Sequence, residues 1–179
     1  ETCRKHLEEV LRCGRPRRLL ESIELGLADA KDGVKSEAIS HPVPLKVDCQ
    51  QCPTEGPAST ARAYLESPPP RVVLCANRLG SRREIEEGVV HELVHAYDYL
   101  VSGLKLTDCR PLAYSEVRAA RTAECAETFD FLSFNFFKKR CTRAAASRST
   151  DGLFPGRGAD CVDEVFEAAY ADEGPSDRK

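Results

Sequence analysis

The sequence predicts an α+β chain, mostly helical, with a small sheet beside one buried helix and disulfides stapling the remainder. Three observations predict it. Apolar residues recur at helical spacing over much of the length, as at Leu19, Leu20, Ile23 and Leu27. Two short β-rich runs, at 43–47 and 71–77, lie among prolines and glycines. Nine cysteines, at 3, 13, 49, 52, 75, 109, 125, 141 and 161, are spread along the whole chain. Such dispersal fits disulfides formed in an oxidising compartment. With 179 residues, 41% of them apolar, the chain is most simply one domain, 1–179, around one main core.

Within that domain, residues 1–32 read as N-terminal helices. Leu7, Val10 and Leu11 form one apolar patch and Leu19 to Leu27 another, with Pro16 dividing the two. Residues 33–70 form a Cys/Pro-rich loop, punctuated by His41-Pro42-Val43-Pro44 and Pro68-Pro69-Pro70, with 43–47 as a short strand. Residues 71–141 are the core that carries the chemistry, and it opens on the strand at 71–77. Ser81 with Glu84 three residues on is a capping box, opening a helix through Leu100 that Gly103 terminates. A loop holding Asp108, Cys109 and Pro111 precedes a long helix from Ser115 to about Arg140. Residues 142–158, small, polar and glycine-rich, read as a flexible connection within a C-terminal part, 142–179. A last amphipathic helix spans 161–171 and a tail 173–179.

The helix opened by Ser81 carries the decisive motif, His91-Glu92-Leu93-Val94-His95. Residues four apart project from one helix face, so both imidazoles can hold one ion while Glu92 reaches a water on it. In zinc proteases the metal polarises the peptide carbonyl and the glutamate takes the water's proton. A helix of this kind beside a small sheet is the zincin-like arrangement. The uncharged flanks, Val89, Val90, Leu93, Val94 and Ala96, supply the apolar jacket that a buried active-site helix needs. The bland alternative is a surface helix with two incidental histidines.

Zinc takes a third protein ligand and keeps a fourth position for water. His6 and His41 lie far upstream. Glu116, some twenty residues after His95, is the favoured third ligand, and Asp108 is the alternative. Asp98, two turns beyond His91, is placed to orient a ligand histidine by accepting its ring N–H. The strand at 71–77 either offers its edge to an extended substrate or only supports the helix. Tyr114 and Arg118 are candidates to stabilise the carbonyl, or merely pack.

The net charge of −3 argues against a general nucleic-acid binder. Basic runs at 12–18 and 138–148 read as solvated helix faces, with phosphate or lipid contact as the other reading. No stretch of eighteen apolar residues exists, so no transmembrane segment is expected. The most apolar window, 129–137, is interrupted by Asp130, Ser133 and Asn135. Absence of any methionine suggests a mature or trimmed form. Cys49-Gln50-Gln51-Cys52 could be half a zinc knuckle, but no second pair completes it. Cys3 and Cys13, with nine residues between them, are spaced like pairs in proteins oxidised in the mitochondrial intermembrane space. An odd count leaves at least one thiol without an intramolecular partner.

Four stretches carry a family resemblance: Val73-Leu74-Cys75-Ala76-Asn77, then the motif from Val90 to Asp98, then Ser115-Glu116-Val117-Arg118-Ala119, and last Val165-Phe166-Glu167 with Asp172, Glu173 and Pro175. From about residue 47 onward the chain resembles the mitochondrial inner-membrane-associated metalloproteases that mature and assemble the membrane sector of ATP synthase. Cys49, Cys52, Cys125 and Cys141 also fall where that family places cysteines. The resemblance implies a Zn2+ endopeptidase of the intermembrane space, peripheral on the inner membrane. Its implied partners are an inner-membrane protein substrate or subunits of ATP synthase or a respiratory complex. Pro111, Tyr114, Lys105 and Ala169 depart from the family's pattern. A second reading is therefore a retired protease serving as accessory subunit or chaperone of such a complex. Glu92 discriminates, because a retired site has no need of its base.

Overall fold

The computed structural model describes residues 2–12, 14–33, 45–56, 59–128 and 136–174. It contains two compact units, Glu1–Val101 and Ser102–Lys179. The first holds helices α1 (Thr2–Leu11), α2 (Gly14–Gly33) and α3 (Arg82–Leu100) with strands β1 (Lys46–Gln50), β2 (Ala63–Glu66) and β3 (Arg71–Cys75). The second holds helices α4 (Cys109–Thr122), α5 (Phe136–Leu153) and α6 (Gly158–Ala171). The α+β class and its disulfide staples are as the sequence predicts.

In the first unit the strands form one sheet of order β1-β3-β2. β1 pairs with β3 in parallel, Lys46 opposite Arg71 and Gln50 opposite Cys75. β2 pairs with it antiparallel, Ala63 opposite Leu74 and Glu66 opposite Arg71. Val72, Val73, Leu74 and Cys75 are fully buried, which suits a β-branched run covered on both faces. The expected strand at 71–77 therefore exists but is central: both its edges are occupied, so it cannot offer one to a substrate. The strand expected at 43–47 is found displaced, running to Gln50, with 43 and 44 outside the described residues. β2 lies inside what reads as loop; four residues show too little alternation to announce a strand. Beyond β1, the Asn77 side chain continues the sheet. Its Oδ1 accepts from the Cys52 N–H at 3.0 Å and its Nδ2 donates to the Cys52 carbonyl at 3.1 Å.

Two disulfides fasten this unit, Cys3–Cys49 and Cys52–Cys75. Both join segments that lie far apart in the sequence. Cys3 bonds β1 rather than the nearby Cys13, which lies outside the described residues, and the two cysteines of the C-x-x-C take different partners. Nearness in sequence does not choose the bond; the tertiary approach of Cα atoms to 6.1 Å and 5.1 Å does.

The second unit packs three helices around Ala113, Val117, Ala146, Cys161, Val162 and Phe166. Here the long helix expected from Ser115 to Arg140 is replaced by α4, which starts at Cys109 and ends at Thr122, and by α5. The flexible connection expected at 142–158 is for the most part helix, since α5 continues to Leu153. Ala144, Ala145 and Ala146 are strong helix formers, and their small size suits close helix packing more than it signals a linker. Pro111 and Pro16 each stand third in a helix, α4 and α2 respectively, rather than between helices. A proline in the first turn costs no hydrogen bond, because those N–H groups have no intrahelical acceptor. Cys109–Cys161 and Cys125–Cys141 close this unit. The basic runs meet acids, as solvated faces do: Arg17 pairs with Glu21, Lys139 with Glu167 and Arg143 with Asp163.

α5 and α6 approach at Gly158, where a β-carbon would stand 2.4 Å from the Ser147 carbonyl oxygen and 2.6 Å from the Asp151 nitrogen. Backbone cannot swing aside as a flexible side chain can. Gly158→Ala is therefore expected to destabilise the second unit by about 1–3 kcal/mol, read by denaturant unfolding.

Candidate metal centre

α3 is set up locally. Ser81 is in extended conformation, its hydroxyl accepts from the Glu84 N–H, and the Glu84 carboxylate accepts in return from the Ser81 N–H. The Gly80 and Ser81 N–H groups and the Ser81 hydroxyl hold the Glu84 carboxyl below its ordinary value. The expected capping box is thus present. The helix ends at Leu100, with Gly103 in left-handed conformation just beyond. From Val89 to Asp98 only His91 is less than buried, so the helix is enclosed nearly all round, as its apolar flanks predict.

On this helix the two imidazoles face each other, His95 Nε2 lying 3.1 Å from His91 Nε2 with the rings at 80°. Two nitrogens bound to one tetrahedral zinc at 2.0–2.1 Å would stand about 3.3 Å apart. The observed pair is already near that spacing. Glu92 and Asp98 are buried on the same helix, at 7% and 0% exposure. Ionisable groups are enclosed so completely only where they are paired or coordinate a metal.

Glu116 is likewise buried, at 5% exposure. It does not open its helix; it is well inside α4, and the helix start belongs to Asp108. Asp108 is exposed and caps α4 in extended conformation without a side-chain hydrogen bond. His91 and His95 on α3 of the first unit and Glu116 on α4 of the second are the candidate donors. The donor set, two imidazoles and a carboxylate, suits zinc. His6 is elsewhere, its Nδ1 3.4 Å from Glu9 on α1, and His41 lies outside the described residues.

Tyr114 and Arg118 both turn toward the C-terminal end of α6. The Tyr114 hydroxyl donates to the Asp172 carboxylate at 2.8 Å, and Arg118 Nε lies 3.5 Å from the same oxygen. Arg121 donates to the carbonyls of Tyr170 and Asp172. Sequence spacing gives no sign of this clasp, because its halves are some fifty residues apart.

A buried helix bearing two histidines one turn apart, with a glutamate directly after the first, has the arrangement that metal-dependent peptidases use. The chain belongs to the Peptidase M76 family, whose model matches residues 2–177. It is 30% identical over 147 residues to the mitochondrial inner membrane protease atp23 of Sclerotinia sclerotiorum, covering 73% of this chain and 59% of that protein. With the mitochondrial inner membrane protease ATP23 of Lodderomyces elongisporus it is 29% identical over 191 aligned positions, 99% of this chain and 72% of the relative. The human homolog is 31% identical over 117 residues, 60% of this chain and 48% of its own length. The chain thus spans about 59% of the length of the first of these relatives. No solved structure matches it.

Proposed function

We propose that the chain is a zinc-dependent endopeptidase of the mitochondrial intermembrane space, peripheral on the inner membrane, which processes and helps assemble the membrane sector of ATP synthase. The observation that carries this reading is the pair His91 and His95 on α3, their Nε2 atoms 3.1 Å apart with Glu92 buried on the same helix, to which Glu116 is the proposed third donor. Membership of the M76 family and relatives named as inner membrane proteases support the peptidase and its location. Four disulfides support an oxidising compartment. Among the described residues no helix is long and apolar enough to cross a membrane.

His91, His95 and Glu116 would hold the zinc, which when bound polarises the scissile carbonyl and acidifies a water. Glu92 accepts that water's proton and returns it to the leaving nitrogen. Asp98, one turn beyond His95, accepts the outer ring N–H of a ligand histidine and fixes its tautomer.

Zinc-loaded protein should shorten the precursor of the proton-channel subunit, and chelation should abolish the cut until zinc is restored. Metal analysis should give one zinc per chain, lost in His95→Ala and Glu116→Ala and kept in Asp108→Ala. Full occupancy in Glu116→Ala with loss in Asp108→Ala would transfer the third ligand to Asp108. If the protein restores complex assembly yet never cuts, the accessory-subunit reading replaces the enzyme.

A further inference from the structure

The net charge of −3 is unevenly spread. Residues 136–150 hold Lys138, Lys139, Arg140, Arg143 and Arg148 and no acid at all, and every one of them lies in α5. One side of this helix is spoken for. Lys139 reaches Glu167 of α6 at 2.8 Å, and Arg143 pairs with Asp163 and lies over the Phe166 ring. Thr142, Ala146 and Thr150 are buried on the same side. Phe137, Arg140, Ala144 and Arg148 follow at spacings of three and four along the opposite side.

That outer side is aromatic at one end and cationic beyond it. Phe136 and Phe137 are 56% and 53% exposed, their rings edge to face with centroids 5.6 Å apart. Leaving so much of two adjacent rings in water costs free energy that an apolar phase would recover. Arg140 and Arg148 are exposed, and among the described residues no acid pairs with either. Asp151, near the far end, turns instead to its own loop, its Oδ1 accepting from the Gly156 and Gly158 N–H groups at 2.8 and 3.2 Å. Rings beside guanidinium groups match the interface of an anionic bilayer, where the rings enter the acyl boundary and the cations meet phosphates. A purely acidic surface would meet the cations and leave the rings wet. Among the described residues no helix can cross a membrane, so a peripheral chain needs a surface of this kind to hold one.

We propose that the outer side of α5 binds an anionic phospholipid bilayer, with Phe136 and Phe137 in the headgroup layer and Arg140 and Arg148 on lipid phosphates. This rests on the peripheral placement proposed above and adds the residues and the lipid chemistry that produce it. Phe137 and Arg148 are separated by roughly 16 Å of helix, so α5 lies along the membrane plane and does not enter it end-on.

The zinc-loaded full chain is floated with vesicles of phosphatidylcholine, alone or mixed with phosphatidylglycerol. Binding should require the anionic lipid and weaken as salt is raised. Arg140→Glu with Arg148→Glu should lower it at least about tenfold, and Phe136→Ser with Phe137→Ser likewise. The same charge reversal at Arg12 and Arg18, exposed on the other basic run, should lower it far less. Each variant should unfold at the parent's denaturant midpoint, because every altered side chain is exposed. The chain has no tryptophan, so Phe137→Trp sets a single reporter on the face. Its emission should move to the blue with anionic vesicles and be quenched by brominated lipid, while Leu25→Trp on α2, also at an exposed site, should do neither. Undiminished binding after Arg140→Glu with Arg148→Glu, or a Phe137→Trp emission that stays unchanged while the chain floats, would overturn this surface and leave the peripheral placement to another. A parent that ignores every vesicle would overturn both. Binding of polyglutamate in place of vesicles, lost in the same variants, would assign the face to an acidic protein and overturn the lipid.

Discussion

Glu92→Gln should lower cleavage by at least ~10²-fold while leaving zinc bound. The amide keeps the size and hydrogen-bonding polarity of the carboxylate but cannot accept a proton at neutral pH. Glu92 is not among the proposed ligands, so metal content should stay at one zinc per chain, and binding of an uncut peptide should persist. That split, a fall in kcat with zinc and affinity retained, separates a base from a residue that merely supports the helix. A variant that loses zinc together with activity would reassign Glu92 to the metal's support. Equal inactivity of wild type and variant, with both restoring complex assembly, would instead leave only the accessory role.

Removing a disulfide from the second unit should cost nearly as much in stability as a small domain possesses. Cys109 and Cys161 close a loop of 52 residues, for which chain entropy gives about 4 kcal/mol; Cys125 and Cys141, 16 apart, give about 3 kcal/mol. The paired variant Cys109→Ala with Cys161→Ala should therefore unfold at markedly lower denaturant than the parent. The corresponding change at Cys125 and Cys141 should fall between them. Alanine is the better replacement, since Cys161 is 1% exposed and a serine hydroxyl there would need a partner. Changes below 1 kcal/mol for both would show that the bridges do not constrain the unfolded chain. Four bridges use eight of the nine cysteines, so denatured protein without reductant should titrate with one thiol. Seven or more would place the chain in a reducing compartment and remove the support for the intermembrane space.

What could be read from the sequence was local. Ser81 and Glu84 are three residues apart and His91 and His95 four, so helix, cap and the facing histidine pair are all written within single turns. Where a feature depends on distant partners, reading along the chain gives little or misleads. Pro16 and Pro111 resemble breaks until their helices are seen to begin two residues earlier. The alanines of α5 resemble a linker until Gly158 lets α6 close against them. β2 has no periodicity of its own and exists through its pairing with β3. Disulfide partners are non-local by nature, and the C-x-x-C shows it, since each cysteine bonds away from the other. Glu116, the proposed third ligand, is intermediate: resemblance and spacing favour it, while its place deep inside α4 is hidden by Pro111.

Asn77 has a consequence for the lifetime of the protein. Its side chain completes the sheet as a strand residue would, donating to one group of Cys52 and accepting from the other. Slow hydrolysis of that amide to an acid would leave the acceptor but replace the donor by a second oxygen, set against the Cys52 carbonyl. A covalent bond between Cys52 and Cys75 would persist while the hydrogen-bonded join beside it was lost. Chemical ageing at a single surface asparagine would thus loosen the end of β1 that oxidation had fastened.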